Sequence, residues 1–134
     1  MTQVFLRVGS LLALLAVALG AFAAHGLDGK IPEAHLHNFE TGVRYHIYHA
    51  LAILLVDVII RFGKTKSLVA AGWFFTAGIV LFSGSLYLLA IRSWFDFSVS
   101  WLGPITPLGG LLLIVGWALL FFSSFSRSHK MPVG

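Results

Sequence analysis

The sequence predicts an all-α membrane protein, a four-transmembrane-helix bundle with an amphipathic interfacial helix between spans one and two. Three observations carry that reading. Hydrophobic residues fill 58% of the 134 positions and charged residues only 10%, against roughly 25% charge in an ordinary soluble domain. The few charges cluster, leaving uncharged runs of the roughly 20 residues that one helical crossing requires. Turn and capping residues fall at the ends of those runs. The same composition excludes a soluble enzyme, a disordered linker and a nucleic-acid-binding domain, because nine basic and five acidic residues make no basic field. Cysteine is absent, so there is no disulfide framework and no thiolate chemistry. The chain, 1–134, reads as a single four-span membrane domain.

Span one is predicted at 7–26, within the uncharged run between Arg7 and Asp28. Ala16, Gly20 and Ala24 recur there at every fourth position, a small-residue stripe against which another helix can pack closely. Arg7, the apolar run and Ala21-Phe22-Ala23 also resemble a secretory signal peptide with its cleavage site. The run is longer than a signal core, and with the stripe this favours retention.

Residues 32–46, PEAHLHNFETGVRYH, form an amphipathic segment. Leu36, Phe39, Val43 and Ile47 share one helical face, and Glu33, His37, Glu40 and Arg44 share another. Pro32 is tolerated in the first turn, and Glu40 precedes Arg44 in the favourable ion-pair order. Such a helix lies in the headgroup layer before the chain turns inward.

Span two is predicted at 44–62. Asp57 stands four residues before Arg61, so an ion pair with both side chains reaching the interface accounts for it. Gly63 suits a helix C-terminus, and Thr65 or Ser67 suits the next N-cap. Span three follows at 67–91. The connection 92–106 carries Trp94 and Trp101, which fit an interfacial belt. Thr106 and Pro107 read as N-cap and first helical residue of span four, at 107–125.

Orientation follows from the basic residues. Arg7, Arg61, Lys64, Lys66, Arg127 and Lys130 fall on the side of the termini, whereas Lys30, Arg44 and Arg92 face Asp28, Glu33, Glu40 and Asp96 on the other. The positive-inside bias predicts a multi-pass protein of the inner (plasma) membrane with both termini cytoplasmic. His129 and the basic tail are then expected near anionic lipid.

Polar residues within spans are candidate functional positions, because hydrocarbon offers them no partner. Counting along each span brings His25, Tyr45, His46, His49, Ser83, Ser85, Tyr87 and Thr106 to one depth in the outer leaflet. Three chemistries fit this cluster: hydrogen-bonded stapling of a small bundle, a pocket for a lipid headgroup or quinone, or ligation of metal or haem by His25, His46 and His49. The third lacks a nearby carboxylate or cysteine and matches no zinc spacing, so no cofactor follows from it. His35 and His37, two apart, point to different helix faces. No catalytic constellation is legible: Gly109-Gly110 lacks the lysine of a phosphate loop, and Ser83 and Ser85 have no carboxylate to orient a base.

These segments carry a resemblance. GAFAAHGL (20–27), FETGVRYHIYHALAILL (39–55), FSGSLYLLA (82–90) and GPITPLGGLLLIVGWALL (103–120) resemble the signature segments of domain-of-unknown-function family 423. These are small bacterial inner-membrane proteins of YgdD and YwdK type, to which animal transmembrane protein 256 is related. The resemblance covers about 8–122 and implies a four-helix membrane protein with this spacing; it implies no activity, substrate or catalytic residue.

The expected function is therefore non-enzymatic: a protein of the lipid bilayer that packs with itself or a membrane partner and holds a lipid or quinone-like ligand near the outer leaflet. The alternative is a haem- or metal-binding membrane oxidoreductase using His25, His46 and His49.

Overall fold

Charge-free runs with few helix breakers leave the backbone one way to satisfy its polar groups in a bilayer, which is helix. The computed structural model describes residues 3–128, so His129 and Lys130 lie outside the described residues. The described chain is helical, without strands. Helix α1 (Val4–Phe22) runs into a π-helical turn, Ala23–Leu27. Helix α2 (Glu33–Phe62) follows. Helix α3 (Lys66–Gly78), a second π turn (Ile79–Ser83) and α4 (Gly84–Ala90) make one continuous span. Two short 3₁₀ turns, Arg92–Trp94 and Ser100–Leu102, lead into α5 (Ile105–Ser128). Four helical stretches, Val4–Leu27, Glu33–Phe62, Lys66–Ala90 and Ser100–Ser126, are long and apolar enough to cross a membrane.

The amphipathic segment and the second span prove to be one unbroken helix. Nothing between Glu33 and Phe62 interrupts it, Gly42 being the only weak helix former of consequence. Its 30 residues extend about 45 Å, against about 30 Å of hydrocarbon. The first turns therefore stand beyond the core of the bilayer. Their apolar stripe is covered by the chain itself: Phe39 is buried with Ala23, Leu27, Ile31 and Ala90, and Leu36 and Val43 pack on the same cluster. Glu33, His37, Glu40 and Arg44 are exposed. Arg92 donates to His35 Nε2 at 2.8 Å, tying the connection after α4 to the start of α2.

The second cluster lies at the other end, where Phe5, Ile53, Val56, Leu68, Ala71 and Phe75 are buried together. The chain runs up and down, α1 packing on α2, α2 on α3 and α4, and α3 on α5. The second and third spans are central and the first and last flank them, with 39% and 33% of their apolar windows buried against 17% and 17%.

Small residues set the spacing. Of the stripe on α1, Ala16 is buried and a side chain on Gly20 would meet Val43 of α2, so both positions serve packing within the chain; Ala24 is exposed. The glycines at the start of α5 behave alike: Gly109 lies directly on the backbone of Leu81 and Phe82. A π turn is wider than an α turn, and Gly109 on α5 is a flanking position that admits it, while Gly42 on α2 leaves room for Leu86 and Tyr87 of α4. Thr65 caps α3, its hydroxyl accepting from the Leu68 amide at 3.1 Å. Asp57 and Arg61 pair at 2.9 Å. Thr106 is not the N-cap of the last span, since that helix already starts at Ile105, and its hydroxyl serves a contact between spans instead.

Candidate functional site

The eight polar residues proposed from the sequence divide into separate contacts. On α2, Gly42, His46 and His49 are neighbours on one face, spaced four and three apart, yet each meets a different partner. Ser83, fully buried in the second π turn, donates to the Gly42 carbonyl at 2.7 Å. His46 Nδ1 and the Tyr87 hydroxyl share a hydrogen bond of 2.8 Å. His46 Nε2 is buried without a hydrogen-bond partner. Ser85 on α4 and Thr106 on α5 join their hydroxyls at 2.6 Å.

His49 is bound at both nitrogens. The Trp117 indole donates to Nε2 at 2.9 Å, and Nδ1 lies 2.6 Å from the Tyr45 carbonyl. An indole N–H can only donate and a carbonyl can only accept. The ring is therefore neutral, with its proton on Nδ1 and the Nε2 lone pair held by Trp117. His49 also lies against Phe75, ring centroids 5.6 Å apart, and Tyr45 stacks on it at 6.1 Å.

Ser67 donates to the Leu119 carbonyl at 2.7 Å, and with it these five hydrogen bonds join different spans. At ~0.6 kcal/mol each inside a membrane they contribute about 3 kcal/mol, enough to fix register. His25 takes no part in them: it is exposed on the first π turn. Among the described residues no three metal-binding side chains come together. His25, His46 and His49 thus share no coordination centre, and His49 has no ring nitrogen left to offer.

One cleft opens beside this network. The α2 and α5 helices do not pack closely along their length; between them lies a groove of about 800 Å³. Tyr45, Tyr48 and His49 form its α2 wall, Phe82 of the π turn its floor, and Gly110, Ile114 and Trp117 part of its α5 wall. Of the sequence candidates, only Tyr45 and His49 line it. Trp117, the residue that fixes His49, was missed because nothing in span four marks one aromatic among many. Its pairing depends on how far α5 rotates about Gly109. Tyr48 and Gly110 were missed for the same reason: they are groove residues only once α2 and α5 are known to stand apart.

At the opposite end, Arg61 Nε and Nη2 both donate to Asp57 Oδ2, at 3.2 and 2.9 Å. This is the ion pair expected from the i, i+4 spacing.

Comparison with known proteins points to one family of membrane proteins. The family model of a protein of unknown function, DUF423, matches residues 19–110. The chain is similar to membrane protein YwdK of Bacillus subtilis, 49% identical over 119 residues, covering 88% of this chain and 93% of that protein. It is similar to membrane protein SAB0533 of Staphylococcus aureus at 44% over 124 residues, covering 92% and 96%. A third relative, membrane protein SH2409 of Staphylococcus haemolyticus, is 42% identical over the same length and shares. No solved structure matches. With the family model spanning the end of α1 through the start of α5 and these relatives matching most of the chain, the chain belongs to the DUF423 family and is an integral membrane protein.

Proposed function

We propose that this protein is a non-enzymatic component of the inner membrane that holds an amphipathic lipid or quinone-like ligand in the groove between α2 and α5. The observation that carries the reading is the groove itself. It is aromatic, about 800 Å³ in volume, within the range of small-molecule sites, and open sideways to lipid. Its polar interior is already satisfied through His49 and Trp117, so an apolar chain can lie against them at no cost in unpaired groups. The Tyr45 and Tyr48 hydroxyls, on half-exposed side chains of its α2 wall, are free to donate to an acceptor such as a carbonyl or ester oxygen.

The leaflet follows from charge. Arg7, Arg61, Lys64 and Lys66 fall at the end of the termini, which the positive-inside bias assigns to the cytoplasm. The groove, whose α5 wall lies mostly in the first half of that helix, then falls on the side of the outer leaflet. The polar residues His46, Ser83, Ser85, Tyr87 and Thr106 act as staples behind it. Association with a second copy or a membrane partner belongs to the lipid-facing sides of α1 and α5, since Ala16, Gly20 and Gly109 are occupied within the chain.

The test is native mass spectrometry of protein extracted in mild detergent, with Gly110→Leu as the variant that fills the groove. The wild type is expected to retain one lipid- or quinone-sized mass that the variant loses while staying folded. Equal retention by the two, or no retained mass in the wild type, removes the proposal.

A further inference from the structure

A second cavity lies at the other end of the molecule, away from the groove. It measures about 200 Å³ and is walled by Gln3, which precedes α1, Phe5 of α1, Asp57 and Arg61 of α2, Lys64 of the following connection and Trp73 of α3. Its charge is unbalanced. Asp57 is the only acidic residue at this end, since Glu33 and Glu40 lie in the first turns of α2 and Asp28 and Asp96 in the connections at the opposite end. One oxygen of Asp57 takes both bonds from Arg61, which leaves further guanidinium N–H groups unused. The Arg61 side chain is 52% exposed. Lys64 is exposed and has no ion pair among the described residues. Two cations therefore face one carboxylate that is already neutralised.

The rest of the wall is apolar. Phe5 and Trp73 stand with ring centroids 5.2 Å apart, next to Val69. A cavity with cations at the rim and aromatic rings within suits an anionic amphiphile. At roughly 30 Å³ per water, 200 Å³ holds a phosphate and its glycerol but no acyl chains, which would have to run outside along the helices. Tryptophan at such a depth is characteristic of the headgroup boundary.

We propose that this cavity binds the phosphate of an anionic phospholipid. Arg61, held in place by Asp57, and Lys64 take the phosphate oxygens, and Phe5 and Trp73 pack against the glycerol. The site is independent of the α2–α5 groove and stands or falls apart from it.

The experiment titrates detergent-purified full-length protein with phosphatidylglycerol and with phosphatidylcholine of the same chains, read by native mass spectrometry. Phosphatidylglycerol is expected to bind more tightly. At about 1 kcal/mol per basic residue near an anionic surface, each cation removed weakens it about fivefold. Lys64→Gln alone should therefore show about a fivefold loss, and Lys64→Gln combined with Asp57→Asn and Arg61→Gln, which removes two cations and one anion, a loss of the same order, with phosphatidylcholine weakened less. Because Lys64 is exposed, its single variant tests the idea even where the triple variant does not fold. Equal binding of the two lipids, or a Lys64→Gln variant that binds as the wild type does, overturns the proposal. Displacement of phosphatidylglycerol by millimolar inorganic phosphate assigns the site to the free anion and overturns the lipid assignment.

Discussion

Replacing Gly109 by alanine probes the contact on which the groove is built. A methyl group there would stand 2.8 Å from Leu81 C and Phe82 Cα and closer still to Phe82 N, where ordinary contact begins at 3.4 Å. The obstacle is backbone, so no rotamer change relieves it, and α5 must retreat from the π turn by more than roughly half an ångström. Overpacking of this kind costs typically 1–3 kcal/mol, and a backbone neighbour argues for about 3. Alanine recovers about 1 kcal/mol through helix propensity, leaving a net loss of about 2 kcal/mol. Gly84→Ala is the matched control, because a methyl group there meets nothing within 4 Å; it should gain up to about 1 kcal/mol from propensity alone. The two variants should thus differ by about 3 kcal/mol, or on the order of 10 °C for a chain of this size. Thermal unfolding in detergent, followed by circular dichroism, measures this. A Gly109→Ala protein that melts at or above the wild-type temperature would refute the claim that α5 rests on the π turn at this point.

Other substitutions separate the staples from the groove. Tyr87→Phe deprives the buried His46 Nδ1 of its hydroxyl partner and should cost about 1–3 kcal/mol, seen as a lower melting temperature with ligand retention unchanged. Trp117→Phe keeps a ring against Phe75 but removes the donor to His49; a loss near ~0.6 kcal/mol is expected, whereas Trp117→Ala should also open the groove and lower the retained lipid in the mass spectrum. His25 is exposed and outside the network, so His25→Ala should stay within about 0.5 kcal/mol of the wild type. Metal analysis and a visible spectrum complete that test: a metal or chromophore present in the wild type and lost on His25→Ala would restore the three-histidine alternative.

The spans were legible because hydropathy and charge spacing act locally, one helix at a time. So was the Asp57–Arg61 pair, which lies within one turn of one helix. Even the polar partners on different spans could be brought to a common level by counting residues from the membrane boundary, as His46 with Tyr87 and Ser85 with Thr106 illustrate. Rotation about the helix axes was not legible. A π turn adds a residue without a sequence signature, and the one at Ile79–Ser83 turns every later side chain of the third span relative to a plain α-helix. Hence nothing in the sequence assigned Trp117 to His49, nor Phe82 to the floor of a groove. The break between amphipathic segment and span two was drawn where polarity changes. Polarity decides what surrounds a helix; continuity is decided by breakers, and none stands between Glu33 and Phe62.

The same π turn explains why a polar network and an apolar groove sit side by side. Along α5, Gly109 is fixed against the Phe82 backbone and Trp117 is fixed to His49. These points are eight residues apart, about 12 Å of helix, and between them α5 has no close packing with α2. Were the third span α-helical throughout, Ser83 and Phe82 would not hold their present bearings, one towards Gly42 of α2 and the other beneath the cleft. The hydrogen bonds behind the groove thus do two things at once. They hold the spans in register, and they saturate the polar groups that would otherwise face the hydrocarbon, which leaves a surface that an acyl or isoprenoid chain can cover and only two tyrosine hydroxyls to select its head.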